Sequence, residues 1–363
     1  MIARTIAMVR TLPDMPRIHT FFRRRLALLL ACVVLGPAAH ADTGNASADV
    51  ATAFADGLSA FKAEVAERHG FSSRALDLWF ADVELQQPIL DAISAPAERV
   101  RPWHEYRQIF LTDRRIEGGV VFWEEHADTL EQVSAEYGVP AEMIVAIIGV
   151  ETMYGRITGR WRVLDALATL AFAYPPRAPF FRSELEHFLL LAEEERLEPR
   201  AALGSYAGAM GPPQFIPSSY RAYAVDGSGN GRRDLFRDWE DVLASVANYF
   251  SVHGWRDGEP VAHPARVDDD WSGVHPANRL DLDNTVAGLQ SAGYRFDSTR
   301  DDDTPAMMVR LDGTDGDELW VAYHNFHVIT RYNRSVMYAL AAWQLSQAIA
   351  ERRAEGRTAA RGS

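Results

Sequence analysis

The chain has 363 residues, enough for one large domain or two smaller ones with a packed core. Its 47% hydrophobic and 24% charged residues are ordinary for a soluble globular protein. The formal net charge of −13 argues against a nucleic-acid partner and against adhesion to an anionic membrane surface, and leaves a neutral or amphoteric polymer open.

Arg23, Arg24 and Arg25 precede the apolar run LALLLACVVL, which GPAAHAD follows. A charged segment, a short apolar core and small residues before a cut predict a secretory signal peptide over residues 1–41, cleaved after Ala41. Met8 and Met15 also precede the arginines, so residues 1–22 read as an extended start. The run is too short to span a membrane, and no later stretch qualifies. Cys32, the only cysteine, lies in LLAC, where lipidation of the thiol is the alternative to cleavage. Either outcome leaves a chain without a disulfide, and export places it in the periplasm. Removing residues 1–41 leaves 31 basic against 49 acidic residues, a net charge of −18.

Apolar spacing of three and four predicts helices over 50–66, 73–93 and 119–138, the last stopped by Gly138. Pro140 stands where a helix accepts its first residue and opens a helix that ends near Gly155. Further helices are expected over 163–174, from Phe180 to about Glu195, and over 238–254. Residues 42–255 thus read as a helical domain. Residues 256–318, rich in Asp, Gly and Pro, read as a small irregular or strand-containing inserted subdomain. Residues 319–352 open on a strand-like LWVAYHNFHVI and return to a helix, and 353–363 read as a disordered tail. The class is mainly α with a small β part.

Four stretches can carry chemistry. AIIGVETMYG ends a long apolar run on Glu151. In a desolvated cleft wall this carboxyl would hold its proton near neutral pH, as a glycosidase general acid must; the plain alternative is a helix-end glutamate reaching solvent. GSYAGAMGPPQFIPSSYRAYAVDG (204–227) reads as a stiff loop in which Ser205, Gln214, Tyr220 and Tyr223 could meet a sugar, or simply satisfy one another.

DGSGNGRRDLFRDWED (226–241) places Asp226, Ser228 and Asn230 at positions 1, 3 and 5 of an EF-hand-like loop. Gly231 falls at 6, the Arg232 carbonyl at 7 and Asp234 at 9. Position 12 is Arg237 rather than glutamate, so Asp241 or Glu240 would have to close a longer loop; an Asx-rich turn without an ion is the alternative. TRYNRSVMYA puts Tyr332, Asn333 and Tyr338 at the mouth of the last helix, with Asn333 either its N-cap or a cleft residue.

Together with DALATLAFAYPPRAPFFRSELEHFLLL and ASVANYFSVHGW, these stretches resemble the type-B lytic murein transglycosylases of glycoside hydrolase family 103. The resemblance runs from about residue 50 to 350. It implies a lysozyme-like helical core with an embedded calcium loop, and Glu151 as sole acid/base. It also implies a cleft formed by Ser205, Gln214, Tyr249, Tyr332, Asn333 and Tyr338, with Tyr106 of RPWHEYR added. Calcium would be held by Asp226, Ser228, Asn230, the Arg232 carbonyl and Asp241. The implied partner is the peptidoglycan glycan strand, with other cell-wall enzymes alongside. PPQF in place of the more usual glycine-containing turn before Gln214, and Asn230 in place of an aspartate, depart from the family pattern. Hydrolysis by a muramidase, and binding without turnover, are the rival readings.

Overall fold

Apolar periodicity becomes fourteen α-helices among the described residues of the computed structural model, which are 43–94 and 101–362. The expected signal segment and Cys32 lie outside them. The first half contains α1 (Thr43–His69), α2 (Ser73–Trp79), α3 (Gln87–Ser94), α4 (Trp103–Phe110), α5 (Asp113–Glu125), α6 (Ala127–Tyr137) and α7 (Ala141–Thr152). After a short strand β1 (Trp161–Arg162) come α8 (Val163–Ala173) and α9 (Ala178–Glu194). Strand β2 (Leu203–Gly204) pairs antiparallel with β1 and leads to α10 (Pro217–Tyr223) and α11 (Trp239–Val252).

Two helices read as single pieces are broken. The expected 73–93 helix splits into α2 and α3, with the backbone N–H of Gln86 between them donating to Thr169 Oγ1 at 3.0 Å. The expected 119–138 helix begins earlier and breaks at His126, whose φ of −119° is not helical. Pro140 sits one position earlier than expected, as the N-cap of α7.

The centre of the domain is α7. Ala141 and every residue from Met143 to Gly149 are buried. A helix that is apolar all round must be enclosed, and α7 packs against α5, α6 and α11. α8 is enclosed likewise, and its one acid, Asp165, is paired with Arg162 at 2.7 Å. Sequence pattern thus delivers Glu151 to the last turn of an enclosed core helix.

Residues beyond Trp255 build a five-stranded antiparallel sheet: β3 (Ala262–Val267), β4 (Asn284–Thr285), β5 (Tyr294–Arg295), β6 (Pro305–Asp312) and β7 (Asp317–Ala322), with α12 (Val286–Ser291) across it. Its strand order is β4-β6-β7-β3-β5. The strand-bearing segment therefore extends past residue 318 to Ala322. β6 alternates between two cores: Met307, Val309 and Leu311 pack into the helical core, while Ala306 and Met308 pack with Val286, Leu289 and Tyr294.

The run read as strand-like stops at Ala322, because HNFHVITRY forms α13 (His324–Tyr332). Within α13 the fully buried Asn325 accepts from Arg256 N–H (2.9 Å) and donates to the carbonyls of Arg256 (2.8 Å) and Glu259 (2.9 Å). One amide thereby ties the entry of the sheet region to its exit. The last helix, α14 (Val336–Gly362), continues through the segment expected to be a disordered tail. Arg353 anchors part of it, donating to Glu124 at 2.6 Å and lying over the Trp123 ring.

Candidate active site

Glu151 stands one residue before the end of α7, at a turn the sequence makes in an unusual way. Met153, Tyr154 and Gly155 are successive residues with positive φ (52°, 62° and 76°). Left-handed backbone costs a non-glycine residue roughly 1–2 kcal/mol, so the turn needs anchors. Tyr154 supplies one: its hydroxyl donates to the Arg115 carbonyl (2.6 Å) and its ring stacks on Phe122. The ring fits because Gly119 and Gly149 have no Cβ, which at either position would come within 2.7 Å of the Tyr154 hydroxyl. Thr152 supplies the other, donating to the Pro212 carbonyl (2.9 Å) and accepting from Gly155 N–H (3.0 Å). Tyr154 and Thr152 were not singled out in the sequence; the small residues at 118, 119 and 149 were the available signal.

The Glu151 carboxyl is largely enclosed but keeps part of its surface open. Burial raises its pKa to about 7, and the opposing effect is a single hydrogen bond from the Tyr338 hydroxyl to Oε1, 2.5 Å long. A rise of that size is a preference of about 3 kcal/mol for the protonated form. No cation or second carboxylate acts on Glu151 among the described residues. Three phenols surround it instead. Tyr106, Tyr332 and Tyr338 all have raised pKa values, first from burial and then from the Glu151 charge.

The other expected residues fall into two groups. Tyr332 donates to the Pro213 carbonyl (2.6 Å) and stacks on Phe250, while Tyr249 donates to the Arg331 carbonyl (2.6 Å) and stacks on His253. Both hydroxyls are committed to backbone, which leaves their rings as walls. Ser205 Oγ accepts from Ala207 N–H (3.3 Å) and Ala209 N–H (3.0 Å), so its own proton is available to donate. Gln214 has φ of 52°, and its amide donates to the carbonyls of Thr158 (3.1 Å) and Gly211 (2.9 Å), leaving its oxygen as an acceptor.

Asn333 is exposed and does not cap the last helix. Ser335 does that, its Oγ accepting from Tyr338 N–H at 3.3 Å, while Asn333 closes α13 and keeps its side chain free among the described residues. Tyr220 and Tyr223 belong to the framework: the Tyr220 hydroxyl is buried between Arg233 and Leu235 backbone, and the Tyr223 ring packs on Tyr249.

The acidic loop is ordered by its own carboxylates. Asp226 accepts from Asn230 N–H (3.0 Å) and Gly231 N–H (2.7 Å), and Ser228 Oγ lies 3.5 Å from it. The fully buried Asp241 accepts from Ser228 N–H (3.1 Å) and Asp234 N–H (2.7 Å). Asn230 uses its oxygen for Arg232 N–H and its amide for Asp238. Asp226, Asp234, Asp238 and Asp241 make no ion pair among the described residues. These are hard oxygens, the ligand type calcium takes, but their carboxylates accept from loop backbone N–H groups, and among the described residues no group of three or more His, Cys, Asp or Glu is placed to hold a metal ion.

Comparison with known proteins agrees with this geometry. Residues 53–347 match the family model described as the transglycosylase SLT domain. The chain is 42% identical over 298 residues to membrane-bound lytic murein transglycosylase B of Escherichia coli K12, covering 79% of this chain and 81% of that protein. The chain belongs to the type-B lytic murein transglycosylases. The crystal structure of soluble lytic transglycosylase SltB1 from Pseudomonas aeruginosa superimposes with a TM-score of 0.79 at 50% identity, over 82% of this chain and 99% of that one. SltB3 of Pseudomonas aeruginosa, solved in complex with NAG-NAM-pentapeptide, gives 0.74 at 31% identity, over 82% of this chain and 79% of that one. This transglycosylase therefore has the lysozyme-like helical fold and acts on peptidoglycan. Among its described residues no single helix is long and apolar enough to cross a membrane.

Proposed function

We propose that Glu151 alone serves as acid and then base in cleaving the β-1,4 bond between N-acetylmuramic acid and N-acetylglucosamine. The observation that carries this reading is a carboxyl poised near pH 7 with no second carboxylate acting on it. Glycosidases that hydrolyse ordinarily use two. Protonated Glu151 gives its proton to the glycosidic oxygen as the C1–O bond breaks, and the muramyl 2-acetamido oxygen shields C1. Glu151, now a carboxylate, removes the proton of the muramyl 6-hydroxyl as that oxygen bonds to C1. The proton returns to the enzyme, no water is consumed, and a 1,6-anhydromuramyl end results.

Tyr338 stabilises the carboxylate between the two steps through its bond to Oε1. Ser205, with a free proton, and Gln214, with a free oxygen, orient sugar hydroxyls and acetamido groups; Asn333, Tyr106, Tyr249 and Tyr332 form the walls. Positioning of this kind supplies a large part of a rate enhancement. In the acidic loop, Asp226, Ser228, Asn230, the Arg232 carbonyl and Asp241 would hold calcium, which supplies charge compensation and no chemistry. The protein works as an exported periplasmic enzyme on glycan strands that carry stem peptides. Cys32 offers a lipid anchor as the alternative to cleavage after Ala41.

Digestion of purified peptidoglycan, read by mass spectrometry of the sugar ends, tests the mechanism. The wild type yields anhydromuramyl ends, and Glu151→Gln lowers the rate by roughly 10²–10⁴-fold. Reducing muramic acid ends would replace the reading with hydrolysis.

A further inference from the structure

The chain carries 50 acidic against 37 basic residues, yet the segments tied to the Glu151 turn reverse that balance. Residues 152–164, 199–225 and 319–350 contain no Asp or Glu. Their arginines fall into two groups. Arg162 and Arg200 are neutralised by Asp82 (both 2.8 Å), and Arg221 by Glu194 (2.7 Å). Arg156, Arg160, Arg331 and Arg334 are exposed and make no ion pair among the described residues. Salt screens exposed charges beyond about 8 Å, so the acidic remainder of the chain does not cancel this local excess.

Both pairs are fastened to one loop. The Thr158 carbonyl, between Arg156 and Arg160, accepts from the Gln214 amide at 3.1 Å. The Pro213 carbonyl accepts at 2.6 Å from the hydroxyl of Tyr332, which lies between Arg331 and Arg334. Gly159 packs so closely on the next strand that a Cβ would come within 2.5 Å of the Ser205 nitrogen. Arg160 stands over the Trp161 ring, 5.5 Å from its centroid, and the Arg331 carbonyl accepts from the Tyr249 hydroxyl at 2.6 Å. The backbone beneath the four guanidinium groups is thus held against Ser205, Gln214 and Tyr249, the residues of the sugar-facing walls.

A muramyl unit carries an anion close to its ring only when its lactyl group ends in a free carboxylate; an amide-linked stem peptide removes that charge. We infer that Arg156, Arg160, Arg331 and Arg334 receive the lactyl carboxylates of muramyl units from which the stem peptide has been removed. The inference rests on the peptidoglycan reading and deepens it: peptide-bearing strands are accepted, and stripped strands, which are polyanions, bind more tightly. The reaction that supplies such strands is hydrolysis of the lactyl amide, in which one water cleaves the C–N bond to give the carboxylate and the freed peptide amine.

Binding of soluble glycan strands of matched length in the Glu151→Gln background, which needs no turnover, tests this. Three polymers are compared: stripped strands, the same strands with each lactyl carboxylate capped as its methylamide, and strands that keep their stem peptides. The stripped strand binds about tenfold more tightly than the capped one, as several exposed ion pairs together supply, and added salt shrinks that ratio. Arg160→Gln and Arg334→Gln each lower the ratio by about twofold, and replacing all four arginines by Gln brings it to about one. The four side chains are exposed, so these replacements leave packing intact. Equal binding of stripped and capped strands by the parent, or an unchanged ratio in the variants, overturns the carboxylate site. Tighter binding of the peptide-bearing strand than of the stripped one overturns it as well, by assigning the arginines to a carboxylate of the peptide. Binding of none of the three polymers is a failure of the peptidoglycan reading itself.

Discussion

Glu151 at the end of α7 and Asp241 in the first turn of α11, against the acidic loop, are both carboxylates that burial pushes toward the protonated form. They differ in what meets the oxygens. Asp241 receives backbone N–H groups on both oxygens, and those donors stabilise its charge and cannot turn away. Glu151 receives one phenol and keeps part of its surface open. Burial alone therefore does not mark a catalytic acid. A carboxylate saturated by backbone donors braces a loop, whereas one left with a single adjustable donor can gain and lose a proton in use.

The strongest way to break this comparison is to neutralise each acid and measure stability. Asp241→Ala strands backbone donors in the interior and is expected to cost roughly 3 kcal/mol, seen as a fall of several degrees in thermal melting. Glu151→Gln should act in the opposite direction. The folded-state pKa of about 7 lies above the unfolded value of 4.5, so the folded wild type binds more protons between these pH values and loses stability as pH rises through that window. Above it the Gln variant should exceed the wild type by about 3 kcal/mol, and below pH 4 the difference should vanish. Calcium extends the contrast. A chelator should lower the melting temperature of the wild type and leave Asp241→Ala where it is. If chelation moves neither, the loop is an Asx-rich turn without an ion.

A smaller effect isolates the phenol. Tyr338 stabilises the carboxylate form of Glu151 and so holds its pKa down. In Tyr338→Phe the descending limb of the pH–rate profile should move upward from about 7 by roughly one pH unit, with a lower maximum because the base is less well held. A downward shift would mean that Tyr338 holds the proton on Glu151 in place instead.

Much of this was legible in the sequence because the signals were local. An uninterrupted apolar run ending in Glu151 requires an enclosed helix with an acid at its end, and α7 is that helix. The spacing of Asp226, Ser228 and Asn230 marked a tight oxygen-rich loop, an EF-hand-like site or an Asx-rich turn, and in the structure Asp226 and Asp241 accept from the loop's backbone. What periodicity could not supply was contact between distant segments. Tyr338 lies 187 residues from Glu151, and nothing near either residue encodes their bond. The break at His126 and the boundary of the sheet at Ala322 depend on packing partners elsewhere in the chain. Asn333 misled as a cap because Ser335, two residues on, offers an equally good oxygen.

The smallest expected effect concerns Gln214, in the loop that Thr152 ties to the Glu151 turn. Its φ of 52° is a conformation glycine adopts freely and alanine does not. Its amide bonds to Thr158 and Gly211 are lost equally in Gln214→Gly and Gln214→Ala. The two variants should therefore show the same loss of cleavage rate, while the alanine form melts lower by the equivalent of about 1 kcal/mol. Equal stability would mean the loop relaxes around residue 214 and holds no strain. Unequal activity would show that backbone geometry at this wall, and not the amide, positions the sugar for Glu151.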